Sequence, residues 1–151
     1  MNLEEFVNGL DFDNYDYFYH ETGKGIGESV LEEGLLVDGT NILDVDNILF
    51  TTACPFTKDI VSSLSSFIDE EYSPTRGRDV SEIIILVAPK DLGGFIVDPL
   101  NDYIDGAFYE GIVPPTRVLG YIDMGSKEFV PNDIYLEIAE DKGLGRSVWK
   151  I

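Results

Sequence analysis

The run Ile83-Ile84-Ile85-Leu86-Val87 is a short, uniformly apolar segment that limits how this part of the chain can fold. It lies between Glu82 and Pro89 and shows no alternation of apolar and polar positions. A run this short and this uniform reads as a strand buried on both faces, with Pro89 as its stop. The chain has 151 residues. That is enough for one domain with a core and too few for two ordinary ones, so residues 1–151 are read as a single domain. A hydrophobic share of 44% and an aromatic share of 12% argue against disorder despite the charge.

The other segments are read in chain order. Residues 2–9 set Leu3, Phe6 and Val7 on one helical face, closed by Asn8-Gly9. Tyr15 to Tyr19 is dense in aromatics and predicts a strand that ends on His20. G-K-G-I-G at Gly23–Gly27 meets neither the phosphate-loop nor the dinucleotide fingerprint and reads as a turn. Gly23 and Gly25 would let the backbone come close to a ligand there. Ile26, Val30 and Leu31 recur at helical spacing, and Gly34 supplies the stop. Asp38-Gly39 is a turn, and Ile48 to Thr51 is a short strand.

Pro55 suits the first turn of a helix. Phe56, Ile60, Val61, Leu64, Phe67, Ile68 and Tyr72 then trace one face, which predicts a core helix from Phe56 to Tyr72. Its end, Asp69-Glu70-Glu71, has the wrong sign for the helix dipole. Residues 73–79 read as a loop, Gly94 to Val97 as a short strand, and Leu100 to Ala107 as a polar stretch. Glu110 to Val113 begins a strand that Pro114-Pro115 interrupts and Val118 to Ile122 resumes. Residues 133–140 fit helix or strand. Short helices early and clustered short strands later predict an α+β fold.

Charge narrows the partners. Lys plus Arg number 10 and Asp plus Glu number 29, for a net charge of −19. Such a surface repels nucleic-acid phosphates and anionic membranes, and it points to a basic partner or to no macromolecular partner. No apolar run approaches the ~20 residues that span a bilayer, and the acidic N-terminus is unlike a signal peptide. The expectation is a cytoplasmic protein, in the cell that makes it or in one that receives it. The single cysteine, Cys54, excludes an internal disulfide and reads as a small core filler. With one histidine and one cysteine, no Cys/His zinc site can be assembled. The Asp11/Asp13 and Asp44/Asp46 pairs lack the glycine and final Glu of a calcium loop, so no metal is expected.

Two constellations remain. The first runs from Tyr17 to Thr51: Y-F-Y-H-E-T, then G-I-G-E-S-V-L-E-E-G-L, then I-L-F-T-T. A polar residue at a strand end, facing a helix start, is a common floor for a ligand site. The second is F-Y-E-G-I-V-P-P-T-R-V-L-G-Y-I, with Glu110 just ahead of an apolar strand broken by two prolines.

Together these patches resemble the ADP-ribosyltransferase superfamily, in its H-Y-E-like form and among its small bacterial or phage-type mono-ADP-ribosyltransferases. His20 and Thr22 match the H-x-T that ends the first core strand. Gly34-Leu35 matches the turn that ends the helix, and Ile48-Leu49-Phe50 matches the next strand. Glu110, ahead of Pro114, matches the catalytic glutamate. The resemblance covers roughly residues 17–122 in three patches. It implies a split of short antiparallel-rich sheets with a few helices. It also implies transfer of ADP-ribose from NAD to a protein target, and a toxin or effector role would suit so compact a transferase.

By that resemblance, Glu110 stabilises the positive charge that builds on the ribose as nicotinamide leaves. His20 holds the other ribose with Thr22 beside it, and the Glu21 backbone faces the nicotinamide amide. Leu49, Phe50 and Thr51 line the site, and Phe50 or Tyr72 stacks on nicotinamide. His20 and Glu110 are expected on neighbouring strands of one cleft. NAD enters as substrate.

The chain departs from the family at three positions. Leu49 stands where the family has tyrosine, and Glu21 where glycine is frequent. Phe108 stands where arginine-modifying members carry a second glutamate, which argues against an arginine acceptor. RNA- and DNA-directed relatives of similar motif need a polyanion, and the charge of −19 argues against that. A reading from another class is an acidic, non-catalytic binding or inhibitor protein of the same fold, covering a basic surface on its target.

Overall fold

The buried run sits in the middle of an open antiparallel sheet. The computed structural model describes residues 1–35, 42–45, 48–71, 80–89, 95–97, 107–110 and 113–133. Of these, 42–45, 48–52, 70–71, 89, 95–97 and 107–110 are described as backbone. The helices are α1 (Leu3–Asn8), α2 (Ile26–Glu33), α3 (Lys58–Ser62) and α4 (Leu64–Glu71). The strands are β1 (Tyr15–Thr22), β2 (Ile42–Val45), β3 (Ile48–Pro55), β4 (Glu82–Pro89), β5 (Phe95–Val97), β6 (Ala107–Glu110), β7 (Val118–Asp123) and β8 (Glu128–Pro131). Across the sheet they run β5-β6-β3-β1-β4-β7-β8, with β2 also paired to β3. Every described pair is antiparallel. The fold is therefore mixed α/β, with few helices and an antiparallel sheet.

β4 is buried on both faces, as its sequence requires. Ile83 to Val87 are fully shielded from solvent. Successive side chains point to opposite faces of a strand. Ile83, Ile85 and Val87 join a cluster with Phe6, Phe56, Ile68 and Phe129. Ile84, Leu86 and Ala88 join another with Phe18, Val30, Leu35 and Tyr121. Helices α1, α3 and α4 contribute to the first cluster, and α2 contributes to the second. Each fully buried isoleucine is worth roughly 1.5–3 kcal/mol of burial, so this strand anchors both layers.

Local chemistry explains the helix ends. Asn2 caps α1 by accepting the Glu5 N–H at 2.8 Å, and Gly9 closes it. Phe6, on the inner face of α1, stacks on Phe129 of β8 at 4.2 Å. Met1 and Asn2 lie along β8, where Met1 accepts the Phe129 N–H and Asn2 bridges Glu128.

Three expectations are corrected. The stripe from Phe56 to Tyr72 is not one helix. Pro55 closes β3 instead of opening a helix, and α3 starts at Lys58 behind Thr57, whose Oγ1 accepts the Ile60 N–H at 3.4 Å. The chain then breaks at Ser63, whose φ is −125° and ψ 38°. The Ser62 and Ser63 hydroxyls both donate to the Asp59 carbonyl, at 2.8 and 3.1 Å, and so compete with the helix ladder. The core role survives the break, since Leu64 and Ile68 are buried. The acidic end of α4 meets Lys127, 3.4 Å from Asp69, in an exposed pair of small energetic weight.

Glu110 closes a strand instead of opening one. Val113 bridges Leu35, and Pro115–Arg117 form a 3₁₀ turn. Prolines lack the N–H that a ladder needs, so Pro114-Pro115 end the pairing and redirect the chain. β7 is then a separate strand beside β4 and β8, not a continuation of β6. β2 and β8 are further strands that periodicity alone does not single out. The Asp38-Gly39 turn, the 73–79 loop, most of the polar stretch after Leu100, Tyr72 and residues 134–140 lie outside the described residues.

Candidate functional site

β3 changes neighbours along its length. Near its end, Cys54 and Pro55 pair with Tyr19 and Phe18 of β1. Near its start, Ile48 to Thr51 pair with Val45 to Ile42 of β2. The opposite edge of β3 is taken by β6, from Ala53↔Ala107 to Phe50↔Glu110. β1 and β2 thus share one edge of β3, and the exchange falls between Cys54 and Thr51. β1 itself continues beside β4, with His20 opposite Ile84 and Thr22 opposite Glu82. The stretch His20-Glu21-Thr22 therefore stands at a fork, where one set of strands parts from another.

β1 runs two residues beyond the histidine that was expected to end it. His20 is 9% exposed, and Glu21 and Thr22 are half-buried. By strand alternation His20 shares the face of Phe18, which is the α2 face. Along that face the register gives one row of His20, Ile84 and Tyr121, and a second of Thr22, Glu82 and Asp123. The face is apolar through Phe18, Leu86 and Val118 and turns polar at this end.

The first turn of α2 covers the polar end. Glu82, 6% exposed, accepts the Gly27 N–H at 2.7 Å. A carboxylate at a helix start is favoured by the helix dipole as well as by the hydrogen bond. Tyr121 donates its hydroxyl to Glu28 at 2.7 Å. Burial, then the Glu28 hydrogen bond, then the charges of Glu28, Glu82 and Asp123 push the Tyr121 hydroxyl well above the usual phenol range. It stays a donor at any working pH. Gly27 lies against the Tyr121 ring so closely that an added Cβ would meet Cγ at 2.7 Å.

The far end of α2 is clamped too. Gly34 has φ 85° and ψ 176°, and a Cβ there would overlap the Val113 carbonyl oxygen. Leu35 then exchanges hydrogen bonds with Val113, at 2.8 and 3.3 Å. The Gly34-Leu35 pair noted in the sequence thus ties α2 to the segment that follows Glu110.

The structure gathers three of the sequence patches onto consecutive strands. His20, Glu21 and Thr22 are on β1; Leu49, Phe50 and Thr51 are on β3; Glu110 ends β6 directly opposite Phe50. His20 and Glu110 are not on neighbouring strands, because β3, which carries the middle patch, inserts between β1 and β6. Glu82, Gly27 and Tyr121 were missed by the sequence reading. A charged residue abutting a fully apolar run was the available signal for Glu82, and a glycine inside the first turn of a helix was the signal for Gly27.

A cavity of about 510 Å³ lies elsewhere, between α1 and the α3–α4 break, against Leu3, Val7, Val61 and Leu64. It belongs to the face opposite His20. Among the described residues, no group of three or more His, Cys, Asp or Glu is arranged to hold a metal ion. No described helix is long and apolar enough to cross a membrane. Comparison with protein-family models, with curated proteins and with solved structures finds no match to this chain.

Proposed function

We propose that this protein is a mono-ADP-ribosyltransferase with an ADP-ribosyltransferase-like fold, moving ADP-ribose from NAD to a protein target. One observation carries the reading. Three patches that are far apart in the sequence belong to three consecutive strands of the sheet, β1, β3 and β6. Local periodicity does not require that order; the resemblance puts His20 and Glu110 on neighbouring strands, and β3, which carries the middle patch, lies between them.

The chemistry assigns the roles. The bond between nicotinamide and ribose breaks, and its electron pair leaves with nicotinamide. Positive charge spreads over the ribose ring oxygen and C1, as in glycoside cleavage. The Glu110 carboxylate stabilises that charge and accepts a ribose hydroxyl hydrogen bond. His20 holds the other ribose, with Thr22 beside it and the Glu21 backbone toward the amide. Leu49, Phe50 and Thr51 belong to the strand beside the ribose site, and Phe50 or Tyr72 is the aromatic candidate to stack on nicotinamide. A nucleophile of the acceptor protein then attacks C1 and loses its proton. Phe108, in place of a second glutamate, turns the acceptor away from arginine. The net charge of −19 favours a basic target. An effector acting in the cytoplasm of the producing or the recipient cell fits these parts.

The reading makes one geometric demand. Side chains alternate along a regular strand, so Ala53 and Phe50 occupy opposite-facing positions. The β3–β6 register runs unbroken from Phe50↔Glu110 to Ala53↔Ala107, so by alternation Glu110 occupies a strand position opposite-facing to that of His20, and a single cleft for both requires β3 to twist there. That segment is also where β3 exchanges β2 for β1.

Leu49 at the usual tyrosine position, with the charge, favours a second reading, an acidic binding protein that covers a basic surface without turnover. Incubation with labelled NAD, with and without cell lysate, separates the two. Nicotinamide release together with a labelled protein supports the transferase. Absence of both, with tight capture of a basic protein, supports the binding protein.

A further inference from the structure

Glu82 is the buried carboxylate that the proposed chemistry leaves unused. It is 94% shielded, since its exposure is 6%, and no described cation pairs with it. A buried carboxylate without a counter-charge is costly, and such a group persists where something holds it. Here one oxygen accepts the Gly27 N–H at 2.7 Å. The residue lies in register with Thr22, one strand from the stretch that carries His20. Between Thr22 and Gly27 the chain makes the Gly23-Lys24-Gly25 turn, with Gly25 at φ 86° and nothing within 4 Å of where its Cβ would be. The turn is thus open on its outer side and anchored at both ends. Thr22 anchors one end through its carbonyl, which accepts the Ser81 N–H at 3.0 Å. Glu82 anchors the other.

We propose that Glu82 is a positioning residue: by holding Gly27 it fixes the Gly23–Gly25 turn beside His20 and Thr22, and so sets the affinity for NAD. The proposal rests on the transferase reading, in which His20 and Thr22 grip a ribose. Glu82 acts through the turn and touches no reacting atom, so its loss weakens binding and spares the chemical step. Glutamine keeps an acceptor oxygen for Gly27, whereas alanine removes it.

The test compares wild type, Glu82→Gln and Glu82→Ala below their melting temperatures. It uses nicotinamide release at varied NAD and amide hydrogen exchange over residues 23–28. Glu82→Ala is expected to raise KM about tenfold or more with kcat within about threefold, and to speed exchange across 23–28 while β4 stays protected. Glu82→Gln is expected to recover most of both. An active wild type with unchanged KM in a folded Glu82→Ala variant overturns the positioning role and leaves the transferase reading standing. Exchange that rises uniformly over the chain also overturns it, because that marks a purely structural residue. A wild type that neither binds nor cleaves NAD sinks the transferase reading and this one with it.

Discussion

Gly34→Ala tests the clamp at the end of α2. Gly34 sits at φ 85° and ψ 176°, a region open essentially to glycine alone, and an L side chain there costs roughly 1–3 kcal/mol. The new Cβ would overlap the Val113 carbonyl oxygen, so the bridge between Leu35 and Val113 has to open. Two hydrogen bonds are lost, each worth about 1 kcal/mol net. The sum is about 3–5 kcal/mol, a large share of the ~5–15 kcal/mol that holds an ordinary domain. For a chain of this size it lowers Tm by about 10 °C. Gly25→Ala is the internal control. Its φ is also positive, at 86°, but nothing lies within 4 Å of where its Cβ would be. It costs at most about 1–2 kcal/mol, partly offset by the stiffer unfolded chain. Urea denaturation of the two variants beside wild type, with m checked for constancy, reads the difference. Equal midpoints for Gly34→Ala and Gly25→Ala would refute the clamp.

Two other substitutions probe the packing. Gly27→Ala pushes a methyl into the Tyr121 ring, within 2.7 Å of Cγ, and should cost about 1–3 kcal/mol by overpacking, whereas Gly27→Ala in a Tyr121→Leu background should cost less; equal costs in the two backgrounds would contradict the contact. Leu64→Asp buries an unpaired charge where Leu64 is 6% exposed, so soluble yield and cooperative melting should be lost; a normal melt would remove α4 from the core.

The elements with the strongest local signals were legible from the chain. Asn8-Gly9 and Gly34 do stop α1 and α2, and the Ile83–Val87 run is an interior strand buried on both faces. Where the reading failed, a local signal was outweighed by a neighbour or a partner. The stripe from Phe56 to Tyr72 is real as a buried face, yet Ser62 and Ser63 divert hydrogen bonds to Asp59 and split the helix. Glu110 was expected to open a strand because apolar residues follow it, but β6 lies before it, and its partner Phe50 is far away in sequence. Pairing across such separations leaves no trace in local periodicity, which is why β3 was not foreseen between His20 and Glu110. The same holds for Glu82, whose hydrogen-bond partner, Gly27, lies more than fifty positions earlier.

The proposed transferase chemistry turns on the Glu110 carboxylate. NAD titration and nicotinamide release are measured for wild type, Glu110→Gln and His20→Ala. Glutamine keeps the size of the side chain and loses the charge needed when the ribose becomes cationic. The account predicts that Glu110→Gln binds NAD nearly as wild type does while turnover falls about 10²- to 10³-fold. His20→Ala, which removes a ground-state grip on ribose, weakens binding as well. Equal turnover in wild type and Glu110→Gln would take Glu110 out of the mechanism. A wild type that fails to bind NAD at millimolar concentration would contradict the transferase altogether.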